Sequence, residues 1–298
     1  MAASDVTVLV VPGYGGSGPE HWQTRWEARW GYRRVEQADW ERPDPDTWGA
    51  ALDAAVDAAH GPVALVAHSL GCVLVARWAH ASTRAARVRA ALLVAPADAD
   101  EVAHWLDAVA AFAPVPLTPL PFPSLVVASQ DDPYLEMPRA RAFAAGWGAG
   151  LVDVGVAGHV NADSALGDWD AGHAVFGDLL AVSTCRTVYH LALADGWTAS
   201  ACDAAYAGTA DDLRDGFLHC STASQVAASA AKHRAGRDDV ILVELDVAAL
   251  GPALRWEPSR GGALFPHVHG PLPRAAVRRA VRLPLDAEGR HVFPPLAD

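Results

Sequence analysis

The chain is expected to fold as an α/β domain with a mostly parallel, doubly wound sheet over residues 1–183, followed by a smaller α+β domain over residues 187–298. Three observations support this. Short apolar runs alternate with helical patterns through the first part, the arrangement that yields a parallel sheet covered on both faces. The alternation ends near Ala181–Arg186, a plausible boundary. Beyond it, extended segments outnumber helices. A length of 298 residues with 51% hydrophobic content is ample for two packed cores.

In the first domain the strand candidates are Val6–Val11, Arg33–Gln37, Val63–Ala67, Ala90–Ala95, Ser124–Ala128 and Leu151–Val154. Helical patterns cover Glu20–Trp30, Asp46–His60, Leu70–His80, Pro138–Trp147 and Leu166–Leu180. Trp22, Trp26 and Trp30 fall on one helical face, a spacing expected to pack against the sheet. In the second domain the strand candidates are Thr187–Ala192, Gly216–Cys220, Val240–Leu245, Ala253–Trp256, Val277–Pro284 and His291–Phe293. One helix follows the capping-box pattern Thr222-x-x-Gln225 and runs to about Arg234, with Gly236 as its C-cap.

The formal charge of −12 speaks against nucleic acid as a partner, because phosphates would be repelled. The stretch Met1–Asp5 has no basic leader, and no apolar run is long enough to cross a bilayer. Cys72, Cys185, Cys202 and Cys220 lack C-x-x-C spacing, as reduced thiols of a cytoplasmic protein would. Oligomeric state is left open.

The chemistry centres on Val63-Ala-Leu-Val-Ala-His-Ser-Leu-Gly71. An apolar strand ends abruptly at a serine, and a helical pattern starts at once. That layout exposes a hydroxyl at the mouth of a sheet, with backbone N–H groups of a helix N-terminus beside it. Ala67 stands where G-x-S-x-G has its first glycine. A helix N-cap is the plainer account of a lone serine there, and the order of its partners decides between them. Asp132, preferred to Asp131, follows the strand Ser124–Ala128; by itself Asp-Asp-Pro would be an ordinary turn. His159 follows Gly158, just past Leu151–Val154. Ser69, Asp132 and His159 therefore come in the Ser…Asp…His order of the α/β-hydrolase fold, each after a strand. The N–H groups of Leu70 and Tyr14, the latter in the glycine-rich loop Pro12–Gly18, are expected to form an oxyanion hole, with Gly13 as the next choice. That loop lacks the Walker lysine and the G-x-G-x-x-G register, which argues against a phosphate loop. His21 and Trp22 are candidates for the pocket border.

Together, Leu9-Val-Val-Pro-Gly-Tyr-Gly-Gly-Ser-Gly-Pro-Glu-His-Trp-Gln23, Val66-Ala-His-Ser-Leu-Gly-Cys72, Leu92-Leu-Val-Ala-Pro-Ala-Asp98, Pro121-Phe-Pro-Ser124, Ser129-Gln-Asp-Asp-Pro-Tyr134 and Gly158-His159 resemble the compact serine hydrolases related to retinoblastoma-binding protein nine and to YdeN. The resemblance spans about residues 5–182. It implies a small α/β-hydrolase with little or no lid, and it carries nucleophile, acid and base onto Ser69, Asp132 and His159. It implies hydrolysis of a small-molecule carboxylic ester through an acyl-enzyme, with no metal or organic cofactor.

In the second domain, His190, His219 and His267 each lie in a short extended segment, and with Glu257 they could line one cleft. Taken singly, each reads as a hydrogen-bonded histidine of a sheet. The spacing matches no familiar zinc motif. Thr187–Phe293 resembles the bacterial family named domain of unknown function 952. A more distant likeness, to folds of the ADP-ribosyltransferase type, implies NAD as a ligand at His190 and His219. Three readings follow: an esterase with an appended domain, a degenerate hydrolase scaffold acting as a binding protein, or an NAD-linked transferase joined to a hydrolase.

Overall fold

The computed structural model describes residues 6–297. The expectation of no basic leader at Met1–Asp5 falls outside the described residues. The chain divides into two compact units, Met1–Ser183 and Thr184–Asp298.

The first unit runs β1 (Thr7–Val11), α1 (Trp22–Trp30), β2 (Arg33–Arg34), α2 (Pro45–Asp57), β3 (Val63–His68), α3 (Leu70–Ala81), β4 (Val88–Val94), α4 (Ala99–Val102), β5 (Ser124–Ala128), α5 (Met137–Trp147), β6 (Gly150–Asp153) and α6 (Asp170–Val182). Its sheet has the order β2-β1-β3-β4-β5-β6 with every pair parallel. β3 is buried along its whole length, as a central strand covered on both faces must be. α3 follows it directly and buries nine of its twelve residues. Such a helix lies inside the core rather than on it. Local signals set the ends of the other helices. The Asp44 carboxylate caps α2 through the Thr47 N–H (2.8 Å), with Pro45 in its first turn. Gly31 ends α1 and Gly148 ends α5, both left-handed.

Two expectations need correction here. β2 shrinks to two residues, because the charged Arg33-Arg34 edge pairs only with Leu9 and Val10. α6 begins at Asp170 and not at Leu166, because Gly167 and Trp169 both turn with positive φ. The tryptophan stripe finds its ring partners chiefly on the last helix and the turn before it. Trp26 stacks on Trp169, and Trp30 lies flat on His173 at 3.6 Å.

The second unit runs β7 (Thr187–Leu193), α7 (Ala194–Ala199), β8 (Ala205–Tyr206), α8 (Ala210–Asp215), β9 (Phe217–Ser221), α9 (Ala223–His233), β10 (Val240–Asp246), α10 (Val247–Leu250), β11 (Leu254–Pro258), β12 (Leu264–His269), β13 (Leu272–Pro273) and β14 (Val277–Arg282). The antiparallel sheet has the order β11-β12-β9-β7-β10-β14, and β13 pairs with β8 separately. α9 covers the sheet, its N-terminus closed by the Thr222 N–H donating to Gln225 Oε1 at 3.0 Å. Arg234, and not Gly236, is its C-cap. His291–Phe293 is no strand; an isolated bridge joins His291 to Leu285. β12 contains Pro266, which normally marks a strand edge. The β12–β9 ladder begins only at His267, so the missing N–H breaks no bond there. Among the described residues, no helix is long and apolar enough to cross a membrane.

Candidate active site

Ser69 sits between β3 and α3 with φ 54° and ψ −125°, a left-handed backbone that only a tightly determined turn holds at a non-glycine residue. Its N–H donates to the Val94 carbonyl of β4 at 3.0 Å. The sharpness of the turn explains Gly71: a Cβ there would lie 2.3 Å from the Val11 carbonyl oxygen. Gly13 is constrained in the same way from the facing loop, where a Cβ would come within 2.8 Å of Ser69 Cβ and 2.9 Å of the Leu70 nitrogen. Ala67, by contrast, is buried without strain, so alanine is tolerated in place of the motif's first glycine.

His159 Nε2 lies 2.9 Å from Ser69 Oγ, and His159 Nδ1 lies 2.9 Å from both carboxylate oxygens of Asp132. The Asp132 side chain is fully buried and also accepts the Tyr134 N–H at 2.9 Å. Asp131 takes a different position. It accepts the N–H groups of Ala157 and Gly158 and the Ser129 hydroxyl, tying down the loop that carries His159. Two adjacent acids thus divide the work: one meets the imidazole and the other fixes its loop. A chain of bonds from carboxylate to imidazole to hydroxyl permits proton removal from the hydroxyl.

Leu70 and Tyr14 flank the serine. Among the described residues, neither backbone N–H donates to another group. The glycine loop is held by Gln23, which accepts the Ser17 hydroxyl (2.6 Å) and donates to the Val66 carbonyl of β3 (3.0 Å).

His21 and His68 complete the surroundings. Sequence reasoning passed over His68 although it directly precedes the apex serine. It is buried and donates from Nε2 to the His159 carbonyl at 2.9 Å, so it fixes the backbone of the facing loop. Burial holds its pKa well below the ordinary 6.5, and neighbouring His159 and His21 push the same way. His21 caps α1: its Nδ1 accepts the Gln23 N–H at 3.1 Å, which leaves the proton of the neutral ring on Nε2. Burial, with help from His159 and Arg34, lowers its pKa to about 3. Its Nε2 has no hydrogen-bond partner among the described residues.

A cavity of about 300 Å³ opens over Ser69 and His159. His21, His68 and Tyr14 supply its polar wall, and Val102, Trp105, Leu106 and Val109 supply an apolar one. The apolar residues all come from the segment between β4 and β5. Arg139 anchors that segment with ion pairs to the buried Asp98 (2.5 Å) and to Asp100 (2.8 Å). Trp22 does not border the cavity. It is buried, and its indole N–H donates to the Val160 carbonyl at 2.7 Å, because a buried N–H needs a partner. Gly13 also stands behind the lining and not in it.

In the second unit a cavity of about 390 Å³ is lined by His219 and His267 but by neither His190 nor Glu257. His190 is buried in β7 and bonds through Nδ1 to the His219 carbonyl at 2.8 Å, while its buried Nε2 lies 3.7 Å from Asp212 and has no hydrogen-bond partner among the described residues. Glu257 braces His267 from behind, 2.7 Å from its Nδ1.

Residues 8–178 match the serine hydrolase family model, and residues 191–280 match that of a protein family of unknown function, DUF952. No curated protein matches the chain. Among solved structures, the first unit is similar to a protein described as a YdeN-like hydrolase from Pectobacterium atrosepticum, with 31% identity and a TM-score of 0.54 over 61% of this chain and 94% of that one. The ydeN gene product of Bacillus subtilis is 22% identical, with a TM-score of 0.48 over 59% of this chain and 98% of that one. Protein CC0527 from Caulobacter crescentus is 38% identical, with a TM-score of 0.35, and covers 36% of this chain and 93% of that one.

Proposed function

Because the chain belongs to the serine hydrolase family, we propose that its first unit cleaves small carboxylic esters by acyl transfer to Ser69. The observation that carries this reading is the unbroken chain of short contacts from Asp132 through His159 to Ser69 Oγ at the floor of a cavity.

His159 takes the Ser69 proton as Oγ attacks the ester carbonyl. Asp132 holds the ring with its Nδ1–H outward from the serine and stabilises the imidazolium. The oxyanion receives the N–H groups of Leu70 and Tyr14, both uncommitted among the described residues. The alkoxide leaves with the proton from His159 Nε2. Water then repeats the sequence on the acyl-enzyme and releases the acid.

His21 supplies a further donor. With Nδ1 occupied by its capping bond and the ring kept neutral, Nε2–H is left for a substrate oxygen. The apolar wall of Val102, Leu106 and Val109 receives the acyl group, and the modest volume favours short or compact acyl chains.

The test is hydrolysis of a nitrophenyl ester series by the wild type and by Ser69→Ala. Turnover should fall by about 10⁴-fold or more in the variant, with melting unchanged. Undiminished turnover in Ser69→Ala removes the proposal.

A further inference from the structure

The second unit has its own cavity, and its wall has an unusual charge for this chain. The acidic excess lies almost wholly in the first unit, where residues 1–183 carry 11 basic and 22 acidic residues; residues 184–298 carry 12 and 13. Within the second unit, cations gather at the cavity. Arg214, Lys232, Arg234 and Arg260 line it against two carboxylates, Asp211 and Asp215.

Those carboxylates are already engaged. Arg214 bonds both, at 2.9 and 2.8 Å, and Arg234 also reaches Asp211. Lys232 and Arg260 have no acidic partner among the described residues. Arg260 is nevertheless held in place: it donates to Ser229 Oγ at 3.1 Å and lies over the Phe265 ring. Ser229 in turn accepts the buried Ser221 hydroxyl at 2.9 Å. An ordered guanidinium with spare donors, next to hydroxyls and a second unpaired cation, is a receptor for a tetrahedral oxyanion.

Two histidines face the same space. His219 of β9 and His267 of β12 are directly opposed across the ladder, with ring centroids 5.7 Å apart. Each has a carboxylate on its Nδ1: Asp212 at 2.8 Å for His219 and Glu257 at 2.7 Å for His267. Both acids stand behind the wall, outside the cavity lining. They fix the ring orientations, so His267 presents a set Nε2 to a ligand, whereas His219 Nε2 is already engaged by Asp215 Oδ2 at 3.3 Å.

From these groups we infer that the second unit binds a small molecule through a phosphoryl group. Arg260 and Lys232 take the phosphate oxygens, the Ser221–Ser229 pair and His267 complete the polar contacts, and Phe265 offers an apolar surface to the rest of the molecule. The volume of about 390 Å³ holds more than a bare anion and lies in the usual range for small-molecule sites.

Lys232 is the only lysine of the chain, which makes it a specific reporter. In the full chain carrying Ser69→Ala, which leaves the ester reagent unconsumed, the rate of Lys232 acetylation by a neutral acetyl ester can be followed by peptide mass. The ligands are inorganic phosphate, inorganic pyrophosphate, AMP and NAD, each against sodium chloride at equal ionic strength. At least one phosphate compound should slow acetylation fivefold or more where chloride does not. Stronger protection by AMP or NAD than by phosphate identifies an ester or anhydride as the ligand; equal protection assigns recognition to the phosphoryl group alone. Arg260→Gln should abolish protection and Arg260→Lys should keep part of it, with circular dichroism and melting as controls on folding. Acetylation unaffected by all four compounds overturns the inference, as does protection that survives intact in a folded Arg260→Gln.

Discussion

Apart from His159, which sits on Asp132, the histidines beside the first unit's cavity are held differently from those on β9 and β12 of the second unit. Beside Ser69, His21 and His68 are buried among rings, a backbone carbonyl and a backbone N–H, and burial keeps them neutral. In the antiparallel unit, His219, His267 and His269 all sit on carboxylates. Burial there works to raise the Asp212 and Glu257 carboxyls, but their histidine partners more than offset it, so both lie low, Glu257 at about 2. The contrast teaches what each pocket is fit to do. A wall of uncharged rings leaves a neighbouring imidazole free to act as a base. A wall with carboxylates set behind its histidines holds their rings in fixed orientations.

Breaking the second unit's arrangement should have the largest effect. Asp212 accepts four hydrogen bonds, from the N–H and hydroxyl of Thr209 and from the N–H and Nδ1 of His219. Asp212→Ala removes them all from a buried position, and a loss of about 4 kcal/mol is expected, read as a lowered urea midpoint. Ser69 reactivity should persist, because all four bonds lost lie within the second unit. Gly71→Ala is the counterpart in the first unit. Its Cβ would meet the Val11 and Pro12 carbonyls, and a loss of about 3 kcal/mol is expected. Here ester turnover should fall along with stability.

Acid sharpens the comparison further. His21 and His68 have folded pKa values below the ordinary 6.5, so the unfolded chain binds protons that the folded one refuses. Stability therefore falls as pH drops below 6.5, by up to about 1.4 kcal/mol per pH unit from each histidine. The carboxylates of the second unit act in a lower window. Their contribution is present above about pH 4 and is lost only as pH falls through their depressed folded values. Nine of the 11 tryptophans lie in the first unit, so urea melts followed by tryptophan fluorescence at pH 7 and 5.5 report mainly on it. Its midpoint should drop across that interval. The smallest effect is expected from His21→Asn, which keeps an N-cap acceptor and removes the Nε2 donor. The value of kcat/KM should fall about tenfold, with little change in melting.

Much of this was legible in the sequence, and the reasons are local. The elbow could be read because a buried strand, a turn and a helix follow one another within Val63–Trp78, and periodicity reports such changes directly. Asp132 and His159 were legible through their places after strands. His68, Asp131 and Trp22 were not, because their roles depend on bonds to a distant loop: the His159 and Val160 carbonyls and the Ala157 and Gly158 N–H groups. Sequence spacing carries no trace of such contacts. In the second unit, short helices at Ala194–Ala199 and Ala210–Asp215 were missed for want of periodicity, and β12 was read only as an extended segment around His267, without bounds. The histidine cleft was half right. His219 and His267 share a cavity because their strands pair in that register, whereas alternation turns His190 toward the interior.

The central claim is that Ser69 is an activated nucleophile. The most direct measurement is the intact mass of the full chain after exposure to a fluorophosphonate, wild type beside Ser69→Ala. One adduct on the wild type, mapped to Ser69, and none on an equally stable variant is the predicted result. A folded wild type that takes up no probe, or a variant labelled to the same extent, would contradict it.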